Sequence, residues 1–417
     1  MPKWDDKYNL DLIANGLEKI RVYDDLGRHS GFSGFEYEDF VSVMQSSLSF
    51  SSDIPEVERR RIIALSIRAV AQRGTITPKA LIGEFSKQEN LYLDRKPQEY
   101  VLVTNLSMRY LPDFRRSAIL GSPITISPKL PKQFVRKPVI DLARPRFFGD
   151  FPTNYSYVRV LIKSRSEFEA AEKAQDALDL LRGLWNFSLN YSGGHRRIFS
   201  KKEPINQIVL GPLQTLHKRN GELATRDYWY ESDYIGPLPC FDMRSRQNRV
   251  KKEVTAMRQY LAKSAYRRDI EDAIRQYTRA LDTRDYNNAF LGLWRVMEKL
   301  TATTRQGYDI TIRRASFLWG DSKFAEQVLR HLKTYRNRTV HEGTNTSEIE
   351  TYLFQIKHYV EALLNFHIHS CKVFKFSSLK DAAGFFDHPS DVPILQTKLE
   401  ELRNQMNIVR KAIKFRS

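Results

Sequence analysis

Apolar residues recur at helical spacing through most of the first 90 positions. The stretches with this pattern are Asp39–Phe50, Pro55–Arg73 and Pro78–Asn90. In the second of them, Ile63 and Ile67 are four residues apart and therefore share one face of a helix. The sequence thus predicts three amphipathic helices that pack on a core near the start of the chain.

From about Leu91 the pattern changes to apolar–polar alternation interrupted by Pro and Gly, which is typical of strands and turns. The segment Leu130–Asp150 is basic and rich in Pro, which indicates an extended linker or cover. A long apolar stripe over Ser166–Asn190 predicts a helix, and we expect this α+β region to end near Pro239. The candidate strands cover residues 100–108, 122–128, 157–163, 206–216 and 226–232.

Helical spacing returns after a basic connection at Met243–Lys252. The predicted helices are Val250–Ala262, Asp269–Leu281, Tyr286–Thr303, Ile312–Leu318, Lys323–His341, Ile349–Ser370 and Ile394–Ile413. A chain of 417 residues is long enough for two domains. We therefore predict an α+β N-terminal domain over residues 1–243 and an all-α C-terminal helical bundle over residues 244–417.

Charge separates these two parts of the chain. Residues 244–417 hold 32 Lys and Arg against 19 Asp and Glu, a net charge of +13. Residues 1–243 hold 35 against 30, a net charge of only +5. Because a basic excess attracts polyanions, this distribution favours an RNA-binding role for the C-terminal half.

Several classes of protein find little support in the sequence. The two cysteines are too few for a disulfide framework, and neither a signal-peptide core nor a membrane-length apolar run is present, so we expect a cytoplasmic protein without a membrane partner. No phosphate-binding glycine motif follows a strand. His358, His367, His369 and Cys371 invite a zinc site, but His367 and His369 diverge on a helix. We expect neither a cofactor nor a metal.

The helix predicted at Lys323–His341 has clear start and stop signals. Asp321 or Ser322 can cap its start, and Gly343 can adopt the left-handed conformation that ends a helix. The apolar stripe that should face a core consists of Phe324, Val328, Leu332, Tyr335 and the pair Thr339/Val340.

A polar cluster occupies the C-terminal end of this helix and comprises Arg336, Asn337, Arg338 and His341. Asn337 and His341 lie four residues apart on one face, and Arg336 can reach the same point if the last turn tightens. Histidine exchanges protons near neutral pH, and the guanidinium fork binds phosphate oxygens. These groups suit attack of a ribose 2′-hydroxyl on its own phosphate, without a metal ion.

This chemistry also favours a dimer. The reaction needs a base for the attacking hydroxyl and an acid for the departing 5′-oxygen. One cluster holds a single histidine, His341, so two copies of the helix across a symmetric interface would supply both groups.

The string from Tyr335 to Gly343, YRNRTVHEG, resembles the signature of the HEPN superfamily, and most closely that of its ApeA-like group. HEPN proteins are helical bundles, commonly dimeric, and many are metal-independent endoribonucleases of toxin–antitoxin, abortive-infection or CRISPR systems. The resemblance, which extends over residues 268–370, implies that Arg336 and His341 are catalytic and that Asn337 is their polar partner. It further implies an anti-phage RNase of the abortive-infection type, with RNA, for example tRNA, as its substrate.

Other interpretations stay open. The chain could be a non-catalytic HEPN module that binds nucleic acid or a partner protein, or a toxin neutralised by a nucleotidyl-transferring antitoxin, although the intact motif favours an enzyme. Glu298 either orients His341 or Arg336 or is a surface carboxylate, and Tyr335 and Arg338 are further supporting candidates. Residues 1–243 have no catalytic set of their own and are expected to sense a phage-derived trigger.

Overall fold

A computed structural model describes residues 2–144, 151–192, 203–304, 306–342 and 348–416, with the side chains of residues 192 and 340–342 excepted. The chain is of the mixed α/β class. Among these residues, strands are mixed with helices up to Tyr230 and only helices follow, as the sequence predicts at this level. No helix among these residues has an apolar stretch long enough to cross a bilayer.

The first 94 residues contain four helices and two small two-stranded sheets. The elements are β1 (Lys3–Trp4), α1 (Leu10–Lys19), β2 (Arg21–Tyr23), β3 (His29–Phe32), α2 (Glu36–Ser47), β4 (Leu48–Ser49), α3 (Glu56–Arg73) and α4 (Pro78–Leu93). The three predicted helices are confirmed as α2, α3 and α4. Helix α1 was not predicted, although Asn9 caps it by accepting a hydrogen bond from the Leu12 amide at 3.1 Å. These helices enclose a separate core around Leu17, Met44 and Ile63.

A six-stranded antiparallel sheet follows, in the order β10-β9-β5-β8-β7-β6. Helix α6 packs on the face of the sheet that carries Leu102 and Val160. The strands and helices of this region are β5 (Gln98–Leu106), β6 (Arg116–Ile119), β7 (Ser122–Ser127), α5 (Lys137–Ala143), β8 (Ser156–Ser164), α6 (Glu167–Ser192), β9 (Leu213–Lys218) and β10 (Leu223–Tyr230).

Two predictions in this region were wrong in detail. The segment predicted as an extended linker or cover is not extended throughout, since it contains α5, but it does cover part of the sheet, and Arg136 just before α5 is buried there. The guanidinium of Arg136 donates to Thr215 Oγ1 at 3.1 Å and to Asn105 Oδ1 at 3.0 Å. The strand predicted over residues 206–216 begins only at Leu213, and the backbone amides of Gln207 and Ile208 donate instead to Asn186 Oδ1 at 3.1 and 3.0 Å.

The C-terminal part of the chain consists of eight described helices. They are α7 (Gln247–Lys263), α8 (Arg267–Asp282), α9 (Tyr286–Leu300), α10 (Tyr308–Ser316), α11 (Ser322–Glu342), α12 (Ile349–His369), α13 (Leu379–Phe385) and α14 (Val392–Arg416). All seven predicted helices are confirmed, and α13 is additional. The sequence Ser347-x-x-Glu350 also predicts a capping box at the start of α12, but Ser347 lies outside the described residues.

Helices α6 and α8 connect the sheet to the C-terminal helices through a close contact. A Cβ on Gly183 would lie 2.3 Å from Thr278 Oγ1, so the glycine permits this approach. Arg182, which is buried, pairs with Asp179 and Asp282 at 2.6 Å each. One hydrophobic cluster thus contains residues from both sides of residue 243. The division of the chain into two domains at that residue stays a prediction.

Candidate active site

Tyr335 anchors the C-terminal half of α11 in the core. Its side chain is 2% exposed, and its hydroxyl donates to Asn287 Oδ1 on α9. The ring meets Phe290 edge-on at 5.1 Å and lies 4.9 Å from the Tyr352 ring of α12. These contacts with α9 and α12 fix the rotation of α11 about its axis, so the supporting role predicted for Tyr335 is a structural one.

The start of α11 is capped as predicted. Asp321 Oδ1 accepts a hydrogen bond from the Phe324 amide at 2.9 Å. Phe324 itself is 63% exposed, however, which contradicts its predicted place in the buried stripe. The buried stripe consists of Ala325, Leu329, Leu332 and Tyr335, because the first turn of α11 presents Ala325 rather than Phe324 to the core. Leu332 and Tyr335 are thus buried as predicted, and Val328 is partly buried against the same core.

Arg336 follows Tyr335 and points towards α10. Its guanidinium carbon lies 4.8 Å from the centroid of the Tyr308 ring, within the range of a cation–π interaction. Its Nη1 is 3.5 Å from Asn337 Oδ1, at the limit of a hydrogen bond. Its Nε is buried and has no hydrogen-bond partner among the described residues. The aromatic ring therefore orients the guanidinium group of Arg336.

Three aromatic and acidic residues form the surroundings of this arginine. The Trp294 and Tyr308 rings meet edge-on at 6.0 Å. Trp294 Nε1 donates to Glu298 Oε1 at 2.9 Å. Burial raises the pKa of the Glu298 carboxyl. The hydrogen bond from Trp294 and the positive charges of Arg336 and Arg295 act in the opposite direction and reduce this increase. Glu298 is thus hydrogen-bonded to Trp294 and interacts with Arg336 only through its charge.

No ion pair joins Arg336 to a carboxylate among the side chains that the structure describes. The nearby Lys333 on α11 differs in this respect, since its Nζ lies 3.1 Å from Asp309 Oδ1 and 6.0 Å from the Tyr308 ring centroid. Among the described side chains, Arg336 is therefore a half-buried cation that contacts an aromatic ring and interacts with the charge of Glu298 without forming an ion pair. Such a cation is available to an anionic ligand.

The rest of the predicted cluster lies on the following turn. Asn337 is half-buried and Arg338 is exposed. Helix α11 continues to Glu342, so the backbone of His341 is helical and lies one turn after Asn337, on the same face. The side chain of His341 and the predicted stop residue Gly343 lie outside the described residues. Arg336 and Asn337 are neighbours in the chain, and the convergence of both side chains with His341 stays a prediction.

The histidines considered for zinc are engaged in other contacts. The His367 Nε2–H donates to the Leu300 carbonyl at 2.8 Å, and its Nδ1 accepts from the Tyr266 hydroxyl at 3.1 Å. Burial lowers the pKa of His367 to about 4. Cys371 donates to the Tyr260 carbonyl at 3.3 Å. Within the described ranges, no group of three or more His, Cys, Asp or Glu residues could hold a metal ion.

Comparison of the chain with known proteins identified no relative. No protein-family model matches the chain, and neither a curated protein nor a solved structure matches it. The HEPN resemblance therefore rests on the motif Tyr335–Gly343 and on its helical setting.

Proposed function

We propose that the chain is a HEPN-type endoribonuclease that cleaves RNA as a homodimer without a metal ion. The observation that carries this proposal is the state of Arg336. It is a half-buried arginine that contacts an aromatic ring, has a buried donor with no described partner, and precedes a histidine by five residues. A positive charge held in place before the reaction can stabilise the negative charge that develops on the phosphate in the transition state.

The proposed reaction is an internal transesterification. The 2′-oxygen attacks the adjacent phosphorus as His341 of one copy accepts its proton. The bond from phosphorus to the 5′-oxygen then breaks, and His341 of the second copy gives that oxygen a proton. The products are a 2′,3′-cyclic phosphate and a free 5′-hydroxyl, so protons and bonds balance without water.

Arg336 and Asn337 supply the remaining interactions. The Arg336 guanidinium donates to the non-bridging phosphate oxygens, and Asn337 holds either a phosphate oxygen or the His341 ring. Carboxylates are the ligands that Mg²⁺ prefers, and Glu298, whose charge acts on Arg336, is hydrogen-bonded to Trp294. The proposed site therefore works through nitrogen donors.

Two features support RNA as the substrate and a separate regulatory part of the chain. Residues 244–417 carry a net charge of +13, which would draw a polyanion to the helices that hold Arg336. Residues 2–94 have a core of their own, separate from the one beneath the motif. We infer that this part senses a phage-derived trigger and that the nuclease acts in abortive infection, as the ApeA-like motif implies.

The test is cleavage of total RNA by the purified full chain and by four variants. Arg336→Ala and His341→Ala should each reduce cleavage at least about 100-fold, the scale expected for a lost transition-state donor or proton carrier. The matched controls are Arg313→Ala, an exposed arginine paired with Asp387, and His331→Ala on the same helix. Equal cleavage by all five proteins would overturn the assignment. A chain that binds RNA without cutting it would be a non-catalytic HEPN module.

A further inference from the structure

Helix α14 has an uninterrupted heptad pattern. Its seam residues alternate at spacings of three and four and are Val392, Leu395, Leu399, Leu402, Met406, Val409 and Ile413. Apolar residues sustained at this spacing over about three heptads are the signature of a helix that pairs with another helix. The helix has 25 residues, which corresponds to a length of about 37 Å.

The protein leaves this seam uncovered. No residue of α14 is buried, and six of the seven seam side chains are between 46% and 63% exposed. The start of the helix is nevertheless well defined, since the Ile394 amide donates to Asp391 Oδ1 at 3.1 Å. A contiguous apolar stripe of this length on a capped, regular helix marks a binding surface.

The charges beside the seam select the kind of helix that fits. The heptad positions that flank the seam carry Lys398, Arg403 and Arg410 and no acidic residue. Glu400 and Glu401 occupy positions that face away from the seam. The charged residues at the rim of the surface are therefore all basic, which favours a partner with acidic flanking positions.

A second copy of α14 is the poorer partner on these grounds. In a parallel pair, Lys398 would face Arg403 of the other copy, twice by symmetry. In an antiparallel pair with matched ends, Arg403 would face its own equivalent across the two-fold axis. Neither arrangement forms an ion pair at the flanking positions, whereas an acidic helix can form three.

We propose that α14 is a docking site for an acidic amphipathic helix of another protein, which pairs with it as a two-stranded coiled coil. The docked helix has apolar residues at its own seam and Glu or Asp beside it. This interaction is independent of RNA cleavage, because it uses none of the residues of the candidate active site.

The probe is a synthetic peptide of about four heptads with Ile and Leu at the seam and Glu at every flanking position. The acidic flanks keep the peptide from pairing with itself. Titrated into the full chain, it should bind at least about tenfold more tightly than the same peptide with Lys at those positions, because three ion pairs replace like-charge contacts. Added salt should weaken its binding.

Two variants of equal charge identify the surface. Leu402→Asp lies on the seam and should weaken peptide binding at least about 30-fold, since an apolar contact is lost and a carboxylate faces the interface. Ile408→Asp changes a residue that is exposed to a similar degree but lies off the seam, and should alter binding less than about threefold. Both substitutions are on an exposed helix and leave the core of the protein intact.

Three results would overturn the proposal. One is failure of the acidic peptide to bind, or binding that Leu402→Asp leaves unchanged. Another concerns the molecular mass of the chain alone, measured by light scattering. If Leu402→Asp halves this mass and Ile408→Asp does not, the seam binds a second copy of the chain. The third is a chain that does not bind the peptide but binds vesicles with anionic lipid in a manner that depends on Leu402. That result would assign the seam to a membrane surface.

Discussion

The guanidinium carbon of Arg336 lies 4.8 Å from the centroid of the Tyr308 ring. The two side chains belong to different helices, and Trp294 of a third helix supports the tyrosine ring at 6.0 Å. Trp294 is in turn fixed by its hydrogen bond to Glu298. The orientation of the motif arginine therefore depends on residues that lie outside the motif.

Removing the aromatic platform should impair cleavage without removing the arginine. A cation–π contact at a partly buried site contributes about 1–2 kcal/mol, so Tyr308→Leu should lower kcat/KM by about five- to thirtyfold. Tyr308→Phe keeps the ring face and should stay within about threefold of the wild type. Initial rates on a fixed RNA substrate measure both. Equal losses in the two variants would point to the hydroxyl instead of the ring.

The close contact between α6 and α8 should be sensitive to a single methyl group. In Gly183→Ala the new Cβ meets Thr278, so the free energy of unfolding should fall by about 1–3 kcal/mol. Gly83→Ala on α4 is the matched control, because a Cβ there has no neighbour within 4 Å. It should be neutral or stabilise by up to about 1 kcal/mol. Urea unfolding followed by circular dichroism measures both, and a neutral Gly183→Ala would mean that α6 and α8 are not tightly packed.

His367 should make stability depend on pH below neutrality. Its folded-state pKa of about 4 lies below the ordinary value of 6.5. The neutral ring is therefore favoured by folding. Its contribution is fully present above pH 6.5 and is lost as the pH falls towards 4, by about 3 kcal/mol in total.

The control is His367→Gln, which keeps a donor and an acceptor but does not titrate. Between pH 7.5 and pH 5, the urea midpoint of the wild type should fall further than that of the variant. Parallel decreases in the two proteins would assign the pH dependence to other groups.

Residues 1–94 should be separable from the nuclease. Their core around Met44 is distinct from the hydrophobic cluster beneath the motif. A cut at residue 243, in contrast, would remove α6 and expose the face of α8 that packs on it. A chain that begins at residue 95 should fold and cleave RNA within about threefold of the full chain, yet fail to protect cells from phage. Full protection by the shortened chain would refute a sensing role for this part, and a loss of cleavage would show that the nuclease needs it.

The sequence was sufficient to predict the local features of the site. The helical period over residues 323–341, the cap at Asp321 and the anchoring position of Tyr335 all follow from short-range spacing, and all are confirmed. Phe324 was misplaced because a single turn at a helix start carries too little periodicity to define the buried face.

What could not be predicted depends on contacts between distant segments. Tyr308 lies 28 residues before Arg336 and follows a glycine, so nothing in its own surroundings marks it as an aromatic platform. Similarly, the burial of Arg136 depends on acceptors from β5 and β9, which only the paired sheet brings together. In both cases tertiary packing decides the role of a residue whose local sequence is uninformative.

The chemistry of the RNA ends tests the central claim most directly. Full-length protein is incubated with a defined RNA in excess chelator, and the new 3′ ends are compared with those made by His341→Ala and by His331→Ala. The proposal predicts 2′,3′-cyclic phosphate and 5′-hydroxyl ends from the wild type and from His331→Ala, and no cleavage by His341→Ala. Cleavage that stops in chelator and returns with magnesium, or 5′-phosphate ends that persist in His341→Ala, would contradict it.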